Sequence, residues 1–194
     1  MNSLYIDTST KYLCLGLAKD YQVFYKFQQE AAMKQSELTI PTLQKILNEN
    51  NLTLNDIDEV NVTIGPGSFT GIRIGMCIAK VLASVNNIPL KAISSLNAYA
   101  SLGKEIVLLD ARAARAYIGI YNNNQNVVKE QVLSLEEIEQ LVKNYPDYNI
   151  SLDSHLIGKE SHEIDVIENM NRISKDLKPV ENVDSFVPIY LKDR

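Results

Sequence analysis

The stretch EVNVTIGPGSFTGIRIGMCIAKVLASV, residues 59–85, decides the fold class of this chain. Its opening residues alternate between polar and apolar side chains and favour a strand over residues 59–64. The glycine-rich loop GPGSFTG follows at residues 65–71, and the apolar run at residues 72–85 has the length of a helix. A strand, a tight loop and a helix in this order are the unit from which α/β proteins are built.

The segments on either side extend this unit into a lobe with the order βββαβα. Three apolar runs separated by polar turns predict consecutive strands, and the helix after them has Ser36 as its expected N-cap. A short strand and a helix beginning at Ser94 or Ser95 complete the lobe. The predicted strands cover residues 4–6, 12–18, 22–27 and 89–93, and the predicted helices cover residues 36–47 and 94–102.

The second half of the chain repeats the first. Strands are predicted at residues 106–109, 116–121, 127–133 and 149–157, and helices at residues 135–143, capped by Ser134, and 160–174. We therefore expect a duplicated, two-lobe α/β protein that divides at residues 1–103 and 104–194, with its apolar end, residues 186–191, packed back onto a lobe. A shift of 103 residues (110 − 7) brings Asp7 onto Asp110, Gly16 onto Gly119, Gln22 onto Gln125 and Lys26 onto Lys129.

The composition argues against some classes of function. The net charge is −5, whereas a protein that binds nucleic acid by electrostatics is normally basic, so any RNA contact is expected to be indirect. The two cysteines, Cys14 and Cys77, lie in apolar stretches and are expected to be core thiols of a reducing compartment. The N-terminus has no secretory pattern, and we expect a cytoplasmic protein without a membrane segment.

The glycine-rich loop allows two interpretations. Backbone N–H groups and a helix N-terminus can bind an anion, with Gly65 and Gly67 forming the turn and Ser68 and Thr70 adding hydroxyl groups. The loop lacks the lysine of a nucleotide P-loop. The alternative is a tight turn whose glycines let the helix approach the sheet.

Asp7 also allows two interpretations. An aspartate after a first strand, followed by a hydroxyl-rich turn that includes Ser9, is the layout with which duplicated actin-like ATPases hold phosphate and metal. Those turns usually carry a glycine where Thr8 stands, and the equivalent turn at Asp110 has none. A role of Asp7 within the turn is the alternative.

The sequence contains no recognisable catalytic set. The histidines, His155 and His162, are seven residues apart, which is not a usual metal-ligand spacing, and Ser68 lacks the context of an activated serine. We expect no catalytic residue, no metal and no cofactor.

The helix at residues 72–85 is apolar on nearly its whole circumference, so something must cover its second side. A ridge of small residues at intervals of four, which includes Gly75, Ala79 and Ala83, would let another helix come close. The cover is either the helix at residues 36–47 or a protein partner. If a partner binds the ridge, Ala79→Trp is expected to break the complex while the fold survives.

The segments LYIDTST, GPGSFTGIRIG, LDARAARAY and PIYLKD, at residues 4–10, 65–75, 109–117 and 188–193, resemble the TsaB (YeaZ) family over the whole chain. The resemblance implies the actin-like ATPase (ASKHA) fold. It also implies a paralogue, without catalytic activity, of the tRNA threonylcarbamoyl transferase TsaD. Such a protein is needed with TsaD and the ATPase TsaE to place threonylcarbamoyl on the adenosine beside the anticodon of certain tRNAs.

We therefore expect a scaffold that forms a heterodimer with a TsaD-type transferase, and a homodimer is open where that partner is missing. The rival is a nucleotide-binding ATPase or kinase-like enzyme that uses Asp7, Ser9, Gly67 and Asp110. The residues expected at the partner contact are Leu43, Ile46, Arg73, Gly75, Met76, Cys77, Ala79, Lys80 and Ala83. The candidate anion or nucleotide ligands are Asp7, Ser9, Gly65, Gly67, Ser68 and Thr70.

Overall fold

A computed structural model describes residues 1–31 and 34–191, and residues 192 and 193 of the PIYLKD segment lie outside these ranges. Two sheets make up the fold, a five-stranded one in the order β3-β2-β1-β4-β5 and a four-stranded one in the order β8-β7-β6-β9. The strands are β1 (Asn2–Asp7), β2 (Tyr12–Lys19), β3 (Gln22–Glu30), β4 (Glu59–Thr63), β5 (Leu90–Ile93), β6 (Lys104–Arg112), β7 (Arg115–Asn122), β8 (Gln125–Ser134) and β9 (Asn149–Leu152). The helices are α1 (Gln35–Glu49), α2 (Phe69–Asn86), α3 (Ser95–Ala98), α4 (Leu135–Val142) and α5 (Val166–Ser174).

The predicted duplication is confirmed. In each sheet three antiparallel strands follow one another, and a fourth strand joins the first one in parallel. The sheet order is therefore the same in both repeats, except that the second has no counterpart of β5 among the described residues.

Helices cover both faces of the first sheet. On one face α2 packs on β1 and β4 and α1 packs on β2 and α2, in a core that includes Leu4, Val62 and Ile46. On the other face α5 packs across β1, β2, β3 and β5. Gly16 allows this approach, because a Cβ atom there would lie 2.2 Å from the Ile167 side chain.

After the second sheet the chain returns to the first. The Val180 amide donates to the Leu90 carbonyl beside β5, and the Ile189 amide donates to the Ile64 carbonyl. The expected division after Gly103 separates the two sheets, whereas α5 and residues 178–191 lie against the first sheet. We call residues 178–191 the C-terminal segment.

Several element ends differ from the sequence-based expectation. Helix α1 begins at Gln35 after Lys34, which offers no side-chain cap, so Ser36 is not the N-cap. A tertiary contact fixes this start, since the buried Gln35 side chain donates to the Thr10 carbonyl over 3.1 Å. Helix α3 ends early, at Ala98, and α5 begins late, at Val166 after Asp165, whose side chain caps it.

Helix α2 is long and apolar enough, by length and composition, to cross a membrane. In this fold one side of it, which includes Gly75, Ala79 and Ala83, is buried on the first sheet.

Candidate functional site

A cleft of about 1190 Å³ lies between the two lobes. Its walls include Tyr12 and Tyr99 from the first lobe and Asp110, Asp153 and His162 from the second. Of the candidate nucleotide ligands, Asp110 is among the described residues that line it. The other candidates do not line it: Asp7, Ser9, Gly65, Gly67, Ser68 and Thr70.

The carboxylate of Asp7 is fully buried and accepts four hydrogen bonds. One oxygen accepts from the Ser9 amide at 3.0 Å and from the hydroxyls of Ser9 and Thr63, each at 2.6 Å. The other accepts from the Tyr99 hydroxyl at 2.7 Å. Both carboxylate oxygens therefore already have donors from the protein itself.

Tyr99 connects the two sheets through this carboxylate. Its hydroxyl binds Asp7 at the end of β1, and its carbonyl accepts from the Ser151 hydroxyl of β9 at 2.9 Å. Burial, and after it the negative charge of Asp7, raises the pKa of Tyr99 well above its ordinary value. The hydroxyl is thus a proton donor at neutral pH, as its bond to a carboxylate requires.

The glycine-rich loop packs against the β1–β2 turn. A Cβ atom on Gly67 would lie 2.3 Å from the Ser9 carbonyl oxygen, and one on Gly71 would lie 2.0 Å from that of Thr8. The Ser68 amide donates to the Ser9 carbonyl at 2.8 Å, and the Ser68 hydroxyl caps α2 by accepting from the Gly71 amide. Gly67 and Gly71 therefore let the loop pack closely against the β1–β2 turn.

Gly65, at the start of the same loop, lets the backbone of the C-terminal segment come close. It has a φ of +104°, and a Cβ atom there would lie 2.6 Å from the carbonyl oxygen of Ile189 in the C-terminal segment. Thr70, in the first turn of α2, is exposed.

The Asp110 turn is built differently from the Asp7 turn. Asp110 is exposed, and its carboxylate accepts from the Arg112 amide at 2.7 Å. Arg112, Ala113 and Ala114 all have positive φ values, and the Ala114 carbonyl accepts from the Leu135 amide at the start of α4. Backbone hydrogen bonds hold this turn in place.

The described residues contain no group of three or more histidine, cysteine, aspartate or glutamate side chains placed to hold a metal ion. His155 and His162 are both exposed at the cleft, and His162 lies 3.2 Å from the buried carboxylate of Glu105. Cys14 is buried, and burial raises the pKa of its thiol, whereas Cys77 is exposed and is not the core thiol expected.

Most residues expected at the partner contact are buried inside the first lobe. The small-residue ridge faces the sheet, since a Cβ atom on Gly75 would lie 2.5 Å from the Thr8 hydroxyl oxygen and 3.5 Å from Val62. The ridge therefore lets the sheet approach, and Ala79→Trp would disrupt the fold rather than test a complex. The buried members are Leu43, Ile46, Gly75, Met76, Ala79 and Ala83.

The outer side of α2 carries apolar residues that sequence reasoning missed. Phe69, Val81 and Val85 are 57%, 55% and 77% exposed. They recur with Arg73 and Cys77 at intervals of four, the signal that could have identified this side. We call these five residues the outer face of α2.

The C-terminal segment lies along this outer face. Together they enclose a groove of about 520 Å³ whose lining includes Cys77, Val85, Phe186 and Pro188. The Lys80 ammonium group donates to the carbonyls of Asp184 and Phe186, at 2.9 and 3.1 Å, and so fastens the segment. Sequence reasoning expected Lys80 at the partner contact, whereas the fold uses its ammonium group to hold the C-terminal segment.

The repeated βββα units, the matching sheet orders and the cleft between the lobes define the duplicated, actin-like (ASKHA) class of α/β proteins. The family model described as "TsaD: tRNA N6-adenosine threonylcarbamoyltransferase" matches residues 28–191. Two relatives named tRNA threonylcarbamoyladenosine biosynthesis protein TsaB are similar to the chain. The one from Bacillus subtilis is 31% identical over 137 residues, and the one from Buchnera aphidicola is 30% identical over 152 residues.

The solved structure of YeaZ from Pseudomonas aeruginosa superposes with a TM-score of 0.79 at 18% identity, covering 98% of this chain and 99% of that one. The chain belongs to the TsaB (YeaZ) family, which confirms the resemblance expected from the sequence motifs. The match to the Bacillus protein covers 68% of this chain and 60% of that protein. The match to the Buchnera protein covers 72% of this chain and 72% of that protein.

Proposed function

We propose that this chain is a non-catalytic subunit in tRNA threonylcarbamoyladenosine biosynthesis and that it docks a TsaD-type transferase. The names of its TsaB relatives support the pathway. The observation that carries the docking role is the outer face of α2, where Phe69, Val81 and Val85 leave large apolar side chains in water. Contiguous exposed apolar surface is typical of protein interaction sites.

The state of Asp7 supports the absence of catalysis. A carboxylate that holds a metal or a nucleotide needs a free oxygen directed into the cleft. Here Ser9, Thr63 and Tyr99 donate to both oxygens, and no side chain of the glycine-rich loop lines the cleft among the described residues.

The wider arrangement follows from this role. The chain forms a heterodimer with the transferase, acts together with a TsaE-type ATPase, and meets tRNA only through its partners. Where the transferase is missing, the same apolar face allows a homodimer. The protein works in the cytoplasm and needs no cofactor of its own.

The test is a binding measurement with a charge placed on the outer face of α2. Val85→Glu leaves the buried side of the helix untouched and is expected to weaken binding to the purified TsaD-type transferase by at least tenfold, because a carboxylate would be desolvated in the contact. Leu102→Glu is the matched control, since Leu102 is 65% exposed in the segment between the lobes. Unchanged affinity for Val85→Glu would overturn this docking site.

The same preparation separates the proposal from its rival, a nucleotide-binding ATPase or kinase-like enzyme that uses the cleft. Calorimetry of the isolated chain with ATP and Mg²⁺, followed by a phosphate-release assay, decides between them. Micromolar binding with turnover would favour the rival. The scaffold role is supported if tRNA modification requires this chain in a reconstituted assay while the chain alone hydrolyses no ATP.

A further inference from the structure

Arg73 projects from α2 and contacts Tyr190 of the C-terminal segment. Its guanidinium carbon is 3.8 Å from the centroid of the Phe69 ring, a cation–π contact, and its Nε–H donates to the Tyr190 hydroxyl at 3.0 Å. The rings of Phe69 and Tyr190 are themselves 5.7 Å apart. Arg73 is nevertheless exposed, so its position is fixed while part of its surface faces solvent.

The fixed guanidinium group has unused donors. Arginine carries five N–H donors in a planar fork, and only the Nε–H has a hydrogen-bond partner among the described residues. A fork held in one orientation binds a carboxylate with two parallel hydrogen bonds and loses little side-chain entropy in doing so.

We infer that Arg73 is the charged anchor of the docking surface and receives an aspartate or glutamate of the transferase partner, with Phe69 and Tyr190 positioning it. This inference rests on the docking role proposed above. It also gives the C-terminal segment a function, because Tyr190 supplies one of the two contacts that hold the arginine.

The surroundings favour a protein carboxylate over an RNA phosphate. Binding to RNA uses several cations along a basic surface, whereas this chain has a net charge of −5 and Lys80 is engaged by the C-terminal segment. The neighbours of Arg73 on this side include Cys77 and Val81, which suit the apolar face of a partner helix. One arginine fork within an apolar surface matches one acidic residue on such a helix.

The experiment compares four variants of the full chain in calorimetry with the TsaD-type transferase. Arg73→Ala is expected to weaken binding by roughly ten- to a hundredfold, as loss of a central charged anchor does. Arg73→Lys keeps the charge and is expected to lose most of the same affinity, because it lacks the fork. Tyr190→Phe keeps the ring and removes only the acceptor, with an expected loss of a few-fold. Lys129→Ala removes an exposed cation from β8 and is expected to bind like the wild type.

A charge exchange gives the decisive readout. Arg73→Glu should abolish binding, and an acidic residue of the transferase surface changed to arginine should restore it, which loss of folding could not mimic. Wild-type binding with unaffected Arg73 variants would overturn this inference and leave the docking role standing. No binding by the wild type would overturn the docking role itself. Arg73 variants that bind tRNA less well but the transferase normally would assign the fork to phosphate and refute the carboxylate.

Discussion

The two repeats place an aspartate at the same point, after the first strand, and treat it in opposite ways. Asp7 is buried and receives four hydrogen bonds, one of them from Tyr99 at the start of the connection to the second lobe. Asp110 is exposed beside the cleft, and its carboxylate binds the amide of its own turn.

The same position is therefore used in two different ways in the two repeats. In the first repeat the carboxylate is part of the core, and it joins the sheets through Tyr99, whose carbonyl accepts from Ser151. In the second repeat the turn keeps its shape through backbone bonds and tolerates exposure. The first aspartate should therefore matter for stability and the second should not.

The largest effect is expected from removing each carboxylate in turn. Asp7→Ala removes the carboxylate that accepts from the buried hydroxyls of Ser9, Thr63 and Tyr99 and should lower the free energy of unfolding by about 3–5 kcal/mol. Asp110→Ala loses a bond at the surface and should cost about 1 kcal/mol or less. Urea denaturation of both variants measures the two losses in the free energy of unfolding. Equal losses would contradict the different roles of Asp7 and Asp110.

A smaller effect is expected from the hydroxyl that links the sheets. Tyr99→Phe removes the donor to Asp7 and keeps the ring in the core, so the loss should be about 1–3 kcal/mol. Tyr117→Phe on β7, where the side chain is half-buried, serves as the control. A Tyr99→Phe variant as stable as the wild type would mean that the link carries no net stabilisation.

The pH dependence of stability tests the raised pKa of the same hydroxyl. Burial and then the charge of Asp7 hold the pKa of Tyr99 well above its ordinary value of 10.0, so the folded chain keeps a proton that the unfolded chain loses above pH 10. The free energy of unfolding therefore falls as the pH rises, by about 1.4 kcal/mol for this group at pH 11. The stability difference between the wild type and Tyr99→Phe should shrink by that amount between pH 8 and pH 11. A constant difference would contradict the raised pKa.

The order of the elements could be predicted from the sequence because each repeat carries strong local signals. Period-two strands, the glycine-rich loop and the polar turns are local, and the shift that aligns Asp7 with Asp110 adds the duplication. The duplicated α/β architecture followed from these signals, and its assignment to the actin-like class followed from the resemblance to the TsaB (YeaZ) family.

The side of α2 that faces the sheet could not be predicted, because apolar residues surround the helix. Small residues allow a close approach by a strand as well as by a helix. Gly75 lies against Thr8 in the turn after β1. The position of Arg73 depends on Tyr190, which is 117 residues away in sequence, so no local pattern reports that contact. The state of Asp7 likewise depends on Tyr99, a contact over 92 residues.

The smallest effect concerns how the equivalent helices α1 and α4 begin. Ser134 and Glu137 form a capping box at α4, whereas α1 starts after Lys34 without a side-chain cap and has Ser36 inside its first turn. Ser134→Ala should therefore cost about 1 kcal/mol. Ser36→Ala should cost nothing or stabilise slightly, because alanine has the higher helix propensity. A loss at Ser36 as large as that at Ser134 in urea denaturation would mean that α1 is capped like α4, and the asymmetry between the repeats would then be confined to their aspartate turns.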